Sequence, residues 1–268
     1  MAHQDEKVNR MELPKNQFKA AIKSGKPQIG LWCAINDPTV AELLAGCGYD
    51  WLLFDTEHAP MDHLDTLPLL QAVAPYPVTP IVRPTSLDVA EIKKLLDIGA
   101  QTLLIPYVQT AEEAELAVKA VAYPPAGIRG VAGITRASRY GTVDNYHLHA
   151  RDEICLLIQV ETKTALDNLD SILAVEGLDG VFIGPADLAA SLGYPGQASH
   201  PEVRRICVET IKRIRAAGLP AGFLTLDEPV LAEMIEAGSV FTAVGVDNAI
   251  LQKGARERAK HWKAKAGA

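Results

Sequence analysis

The sequence predicts an α/β protein, a single (β/α)8 TIM barrel with a short N-terminal helix. Three observations carry this expectation. Short apolar runs alternate with helix-like stretches eight times, the rhythm of a parallel sheet with crossover helices. Eight such units are what closes a barrel. The turn after the first strand, Asn36-Asp37-Pro38, lacks the glycines of a phosphate-binding fingerprint, which leaves an open doubly wound sheet as the runner-up.

In order, residues 14–24 read as a short amphipathic helix closed by Gly25, and 28–35 as a first buried strand. Asp37 caps the next helix, with Pro38 at its first position. Strand two is 50–55, followed by a helix over 62–74 that Pro75-Tyr76-Pro77 stops. Strand three is 78–83. Asp88 opens a helix that Gly99 closes. Strand four is 102–106, and Thr110 with Glu113 forms a capping box for a helix over 111–122. Residues 123–153 break the rhythm with two prolines, four glycines and four arginines; a connection of this length is usually functional or an interface. Strand five, 154–160, leads to a helix over 163–175. Strand six is 180–183, with a short helical turn after Gly184 and a longer helix from His200 to 217. Strands seven and eight are 221–224 and 241–244, and the last helix spans 248–263.

Composition narrows the function. A 268-residue chain, 48% hydrophobic, can bury a large core. Residues 1–13 read as a disordered leader, and 14–268 as the barrel domain. Twenty-six basic against 33 acidic residues give a net charge of −7, without the basic stripe of a nucleic-acid binder. No apolar run is long enough for a membrane span, and the N-terminus lacks the apolar core of a signal peptide. Cys33, Cys47, Cys155 and Cys207 form no C-x-x-C pair. They read as buried free thiols, which fits a reducing cytoplasm.

A TIM barrel carries its chemistry at the C-terminal ends of its strands. Asp55, Glu57 and His58 follow strand two there, and Arg83 ends strand three. Gln159 and Glu161 close strand five, and Asp187 follows strand six. Gln159 and Glu161, two apart, share one strand face and, in register with Leu157, point into the mouth. Two convergent carboxylates, Glu161 and Asp187, suit a hard divalent cation; the competing account makes them helix-start acids favoured by the dipole. His58 has the chemistry of a general base near neutral pH, and Arg83 that of a fork donor to a carboxylate or developing oxyanion. Asp97 closes a helix at the bottom of the barrel, opposite the mouth, so any catalytic role would be in a neighbouring subunit's site. Arg136 or Arg139, in the long loop, is the candidate for a distal carboxylate of the substrate.

The ordered motifs GLW (30–32), AELLAGCGYDWLLFDTEHAP (41–60), IVRP (81–84), IKKLLDIGAQTLLIPYVQ (92–109), YPPAGIRGV (123–131), RASRY (136–140), QVET (159–162), VEGLDGVFIGPADL (175–188) and AVGVD (243–247) resemble the HpcH/HpaI family of class II, metal-dependent pyruvate aldolases. The resemblance spans about residues 14–260. It departs at Asp55-Thr56-Glu57-His58, where a related pattern has Asp-Gly-Glu-His, and in the loop Ala132-Gly133-Ile134-Thr135.

The resemblance implies reversible cleavage of 4-hydroxy-2-oxo acids, such as 4-hydroxy-2-oxoheptanedioate, to pyruvate and an aldehyde such as succinic semialdehyde. Glu161 and Asp187 would hold a divalent ion (Mg2+, Mn2+ or Co2+). Gln159 and the backbone at Ala186 and Asp187 would hold pyruvate, and Arg83 would stabilise the enolate oxygen. His58 would be the base, with Asp97 raising its basicity. Trp32 and Leu224 would shape the aldehyde pocket. A homohexamer with sites near subunit interfaces is the implied assembly. Cleavage of 2-keto-3-deoxy sugar acids and acyl-CoA lyase chemistry are the alternatives within the superfamily, and a non-catalytic barrel is the alternative from another class.

Overall fold

The computed structural model describes residues 10–267. The chain runs α1 (Gln17–Lys23), β1 (Gln28–Cys33), α2 (Pro38–Ala45), β2 (Trp51–Asp55), α3 (Thr66–Val73), β3 (Thr79–Arg83), α4 (Val89–Asp97), β4 (Thr102–Ile105), α5 (Ala111–Val121), α6 (Tyr146–Glu153), β5 (Cys155–Val160), α7 (Lys163–Asp167), α8 (Leu169–Leu173), β6 (Gly180–Ile183), α9 (Pro185–Ser191), α10 (Pro201–Ala216), β7 (Ala221–Leu224), α11 (Glu228–Glu236), β8 (Ser239–Val246) and α12 (Asp247–Ala266). The eight strands pair in parallel, in sequence order, and β8 closes on β1. The predicted (β/α)8 barrel is therefore the fold, with its N-terminal helix in place. Among the described residues no helix is long and apolar enough to cross a membrane.

Each strand splits its side chains between two cores. Trp51, Leu53, Ile81, Leu104, Leu157 and Phe182 fill the barrel, while their neighbours Leu52, Phe54, Val82, Leu103, Leu156 and Ile158 pack outward against the helices. This is the period-two alternation of a strand buried on both faces. Phe18 of α1 closes the floor, edge-on to Trp51 and Phe241. Full burial of such a ring contributes on the order of 2 kcal/mol.

The helix signals act as expected at several starts. Asp37, Asp88 and Asp227 each accept from backbone amides of the following turn, and Thr110 with Glu113 forms the capping box. The first helix is shorter than its pattern: Asn16 caps it, so Pro14 lies outside.

Elsewhere the structure corrects the reading. Residues 62–65 form a turn rather than helix, because the Asp62 carboxylate takes the amides of Leu64 and Asp65. The helix expected over 163–175 is two short ones, broken at Asn168, whose side chain donates to the Gln109 carbonyl. The long irregular connection contains α6 at its end. Cys47 is exposed just past α2, whereas the other three cysteines are buried and free as expected. Most of the expected leader lies outside the described residues; at its end Met11 bridges to Val143 of the long loop, and Arg10 pairs with Asp144.

Candidate active site

The mouth is built by continuing the inward parity of the strands by one or two residues. Trp51 and Leu53 of β2 lead to Asp55; Ile81 of β3 leads to Arg83; Leu157 of β5 leads to Gln159 and Glu161. Alternation that fills the barrel with apolar side chains thus delivers polar ones at its rim. Asp55 and Arg83 are register partners on adjacent strands. Arg83 Nε and Nη2 donate to the two Asp55 oxygens at 2.9 and 2.6 Å. Trp32 Nε1 adds a third donor to Asp55 at 3.1 Å, and the guanidinium lies 4.9 Å over the Trp32 ring. Asp55 also accepts from the amides of Glu57 and His58, so it fixes both the arginine and the loop that carries the histidine.

The remaining Arg83 nitrogen, Nη1, sits 2.7 Å from Glu57 Oε2. The pair lacks hydrogen-bond alignment, and that buried oxygen accepts no hydrogen bond. His58 is exposed, its Nε2 3.9 Å from the same Glu57 oxygen. Glu161 is buried. Its Oε1 accepts from the Tyr107 amide at 2.8 Å, and its Oε2 accepts from Gln159 Nε2. Gln159 Oε1 is a second buried acceptor without a hydrogen bond. Asp187 lies in the first turn of α9, which begins at Gly184. That glycine is required by close approach: a Cβ there would stand 2.2 Å from Glu161 Oε2 and 2.6 Å from Gln159 Nε2.

The electrostatics are those of an acid-rich cavity. Burial raises Glu161 to about 7 against the pull of its Gln159 and Tyr107 hydrogen bonds, and the charges of Glu57 and Asp187 push the same way. Burial also raises Glu57, although Arg83 and His58 oppose it. Asp55 is the exception. Burial pushes it up, but the hydrogen bonds and charge of Arg83 outweigh this and hold it below its ordinary value. Asp55 and Glu57 thus share one arginine, the charges of Glu57 and Asp187 act on Glu161, and two buried acceptor oxygens are left over. Such a donor set fits a hard cation. Among the described residues no group of three or more His, Cys, Asp or Glu is arranged to hold a metal; a hard cation such as Mg2+ commonly takes one or two carboxylates and fills its other positions with water and substrate.

Of the residues singled out from sequence, Trp32, His58, Arg83, Gln159, Glu161 and Leu224 lie at strand ends or in the loops after them, and Ala186 and Asp187 in the first turn of α9. Two do not. Asp97 ends α4 at the bottom of the barrel, where Arg129 Nη2 donates to its Oδ1 at 2.7 Å. Arg136 donates to the carbonyl of Ile98 at 2.7 Å, also at the bottom. The reason is the connection type: the long loop joins a helix to the next strand and so emerges at the strands' N-terminal ends. Within one chain Arg136 cannot serve the mouth. Three residues were left without a role or missed. Asp55 and Glu57 organise Arg83. Asp247 accepts from the amides of Ala34 and Ile35 at 2.9 and 3.1 Å and so shapes the loop after β1. The parity of Asp55 with Trp51 and Leu53 was a usable signal; the pairing of Asp247 with a loop more than 200 residues away had none.

Known proteins resemble this chain. The profile of the HpcH/HpaI aldolase/citrate lyase family matches residues 28–253. A hydroxypyruvate/pyruvate aldolase of Sagittula stellata is 57% identical over 252 residues, which is 94% of this chain and 100% of that one. A 4-hydroxy-2-oxo-heptane-1,7-dioate aldolase of Salmonella heidelberg is 53% identical over 249 residues, 92% of this chain and 95% of that one. The crystal structure of an HpcH/HpaI aldolase/citrate lyase family protein from Burkholderia cenocepacia J2315 superposes with a TM-score of 0.89 at 34% identity, covering 93% of this chain and all of that one.

Proposed function

This chain belongs to the HpcH/HpaI aldolase/citrate lyase family and is a carbon–carbon lyase, and from that premise we propose that it is a metal-dependent pyruvate aldolase. It cleaves 4-hydroxy-2-oxo acids reversibly to pyruvate and an aldehyde. The observation that carries this reading is the surplus of carboxylates at the mouth, Glu161 and Asp187 with Glu57 beside them, of which only Glu57 is paired with Arg83.

Glu161 and Asp187 would hold the divalent ion, which is Mg2+, Mn2+ or Co2+ by its oxygen donors. When bound, that ion supplies Lewis-acid polarisation of the keto oxygen and lowers the cost of the enolate. Gln159 and the amides at Ala186 and Asp187 hold the pyruvate moiety. In cleavage His58, exposed at the mouth, takes the proton of the C4 hydroxyl. The C3–C4 electron pair passes to C3, the aldehyde departs, and the negative charge spreads onto the C2 oxygen. Arg83, locked from behind by both Asp55 oxygens, would stabilise that charge. Protonation of C3 then gives pyruvate. No lysine is needed as a Schiff-base nucleophile, and Lys93 and Lys94 lie on α4 rather than at a strand end.

Arg136 lies at the bottom of its own barrel, so within one chain it does not select an acceptor with a distal carboxylate. The homohexamer extends this reading. From Ile250 onward the described part of α12 is exposed, including Ile250, Leu251 and Trp262, as befits a helix that packs on another subunit. Four free cysteines support a reducing cytoplasm.

The test is pyruvate release from a 4-hydroxy-2-oxo acid with and without chelator. Release should cease on complete metal removal and return when a divalent ion is restored. Release that survives metal removal overturns the reading.

A further inference from the structure

We infer that Tyr107 is a specificity residue, its ring forming the wall of the mouth that receives the body of the acceptor aldehyde; this rests on the aldolase reading above. Tyr107 follows β4 and Pro106 at the C-terminal end of the barrel. Its φ is +57°, a left-handed conformation that an aromatic residue rarely adopts and that glycine or asparagine would hold at lower cost. It is also 52% exposed between the buried Pro106 and Val108. The backbone gives one reason for the strain. In an extended strand successive amides point to opposite sides. Here the Tyr107 amide reaches Glu161 Oε1 at 2.8 Å, and the next amide, of Val108, reaches the Gln159 carbonyl at 3.1 Å. Left-handed geometry at residue 107 turns both donors toward the end of β5.

That accounts for the conformation but not for the side chain. A glycine would orient the same two amides without strain, and burial cannot explain the ring, because half of it faces solvent. An exposed aromatic at a strained position, whose own backbone amide holds Glu161, stands beside whatever Glu161's ligand carries outward. Strained residues of this kind concentrate at ligand clamps. The pyruvate end is occupied by Gln159, Arg83 and the start of α9, so the ring meets the other half of the aldol. A tyrosine face suits an apolar aliphatic or aromatic aldehyde.

The experiment compares wild type with Tyr107→Asn, which tolerates the left-handed backbone but removes the ring, and with Tyr107→Phe. Two readouts are taken with added Mn2+. One is aldol addition of pyruvate to acetaldehyde, pentanal and benzaldehyde; the other is exchange of the pyruvate methyl protons with deuterated water, which needs no aldehyde. In Tyr107→Asn the KM for pentanal and benzaldehyde should rise about tenfold. The rise should exceed any change in kcat, in the exchange rate or in the KM for acetaldehyde. Tyr107→Phe should retain wild-type acceptor KM values. Acceptor KM values that do not move in Tyr107→Asn, or that move only in step with exchange, overturn the assignment, since the residue would then act through its amide on Glu161 alone. Failure of the wild-type protein to exchange pyruvate protons would instead sink the aldolase reading.

Discussion

Glu161 concentrates the tension of the site in one side chain. Its carboxyl is buried beside two other acids and rises to about 7 from its ordinary 4.5. In metal-free protein the folded state therefore keeps this proton across a range where the unfolded chain has released it. Between pH 4.5 and 7 the native state binds more protons, so raising the pH through that window destabilises the metal-free fold. The loss is on the order of 3 kcal/mol if no other group compensates. A divalent cation competes with the same proton, so its affinity should strengthen as the pH rises toward 7. Urea unfolding of chelated protein at pH 5 and pH 7.5 checks the first statement, and repeating it with Mn2+ checks the second. Chelated protein that is equally stable or more stable at pH 7.5 contradicts the assignment of a raised carboxyl at this position.

Elements place these groups, and one tight contact between elements is open to direct test. The end of β6 passes so close to the end of β5 that only glycine fits at 184. In Gly184→Ala the added methyl meets a carboxylate held from the other side by the Tyr107 amide, so Glu161 must leave its position. We expect a destabilisation of about 1–3 kcal/mol and at least tenfold weaker divalent-ion binding, read by calorimetric titration and urea unfolding of the same variant. Unchanged ion affinity would mean that Glu161 is not a ligand. Strand ends of this kind were legible in the sequence. The run Trp51 to Asp55, Arg83 closing β3, and Gln159 with Glu161 after Leu157 all obey a period of two, so the side that faces the mouth can be counted. Gly180 to Ile183 and Ala221 to Leu224 match the observed strands residue for residue. Helices were less legible wherever a polar side chain diverted the backbone. Asp62 cut the start of α3, and Asn168 split α7 from α8 by bonding to Gln109. α6 carries little signal in the sequence, because YHLHARDE has no clear apolar stripe and buries only Tyr146 and Ala150. The side of the barrel that Arg136 occupies follows from the helix-to-strand connection of its loop rather than from the chemistry of its side chain.

At the scale of the whole molecule, His58 and Asp97 stand at opposite ends of one barrel, His58 after β2 and Asp97 at the end of α4. A carboxylate at a helix C-terminus opposes the macrodipole, yet here it is held by Arg129, whose side chain is wholly buried over the Tyr123 ring. Only Asp97 Oδ1 is engaged by Arg129, and the side chain keeps 22% of its surface open. A fixed, partly exposed carboxylate at the bottom face and an exposed histidine at the mouth can cooperate only across a subunit boundary, which the proposed hexamer would supply. The variants must spare Arg129, because leaving a buried guanidinium unpaired costs about 3–5 kcal/mol. Asp97→Asn keeps an acceptor for it while removing the charge. His58→Ala and Asp97→Asn should each fold and each lose most aldol cleavage. Mixed one to one and allowed to exchange subunits, about a quarter of the interface sites regain both native residues, and activity should recover toward that fraction. Native mass spectrometry reports whether hybrids have formed. Hybrids that form and remain as slow as the parents would confine Asp97 to its ion pair with Arg129 and leave His58 to work without it.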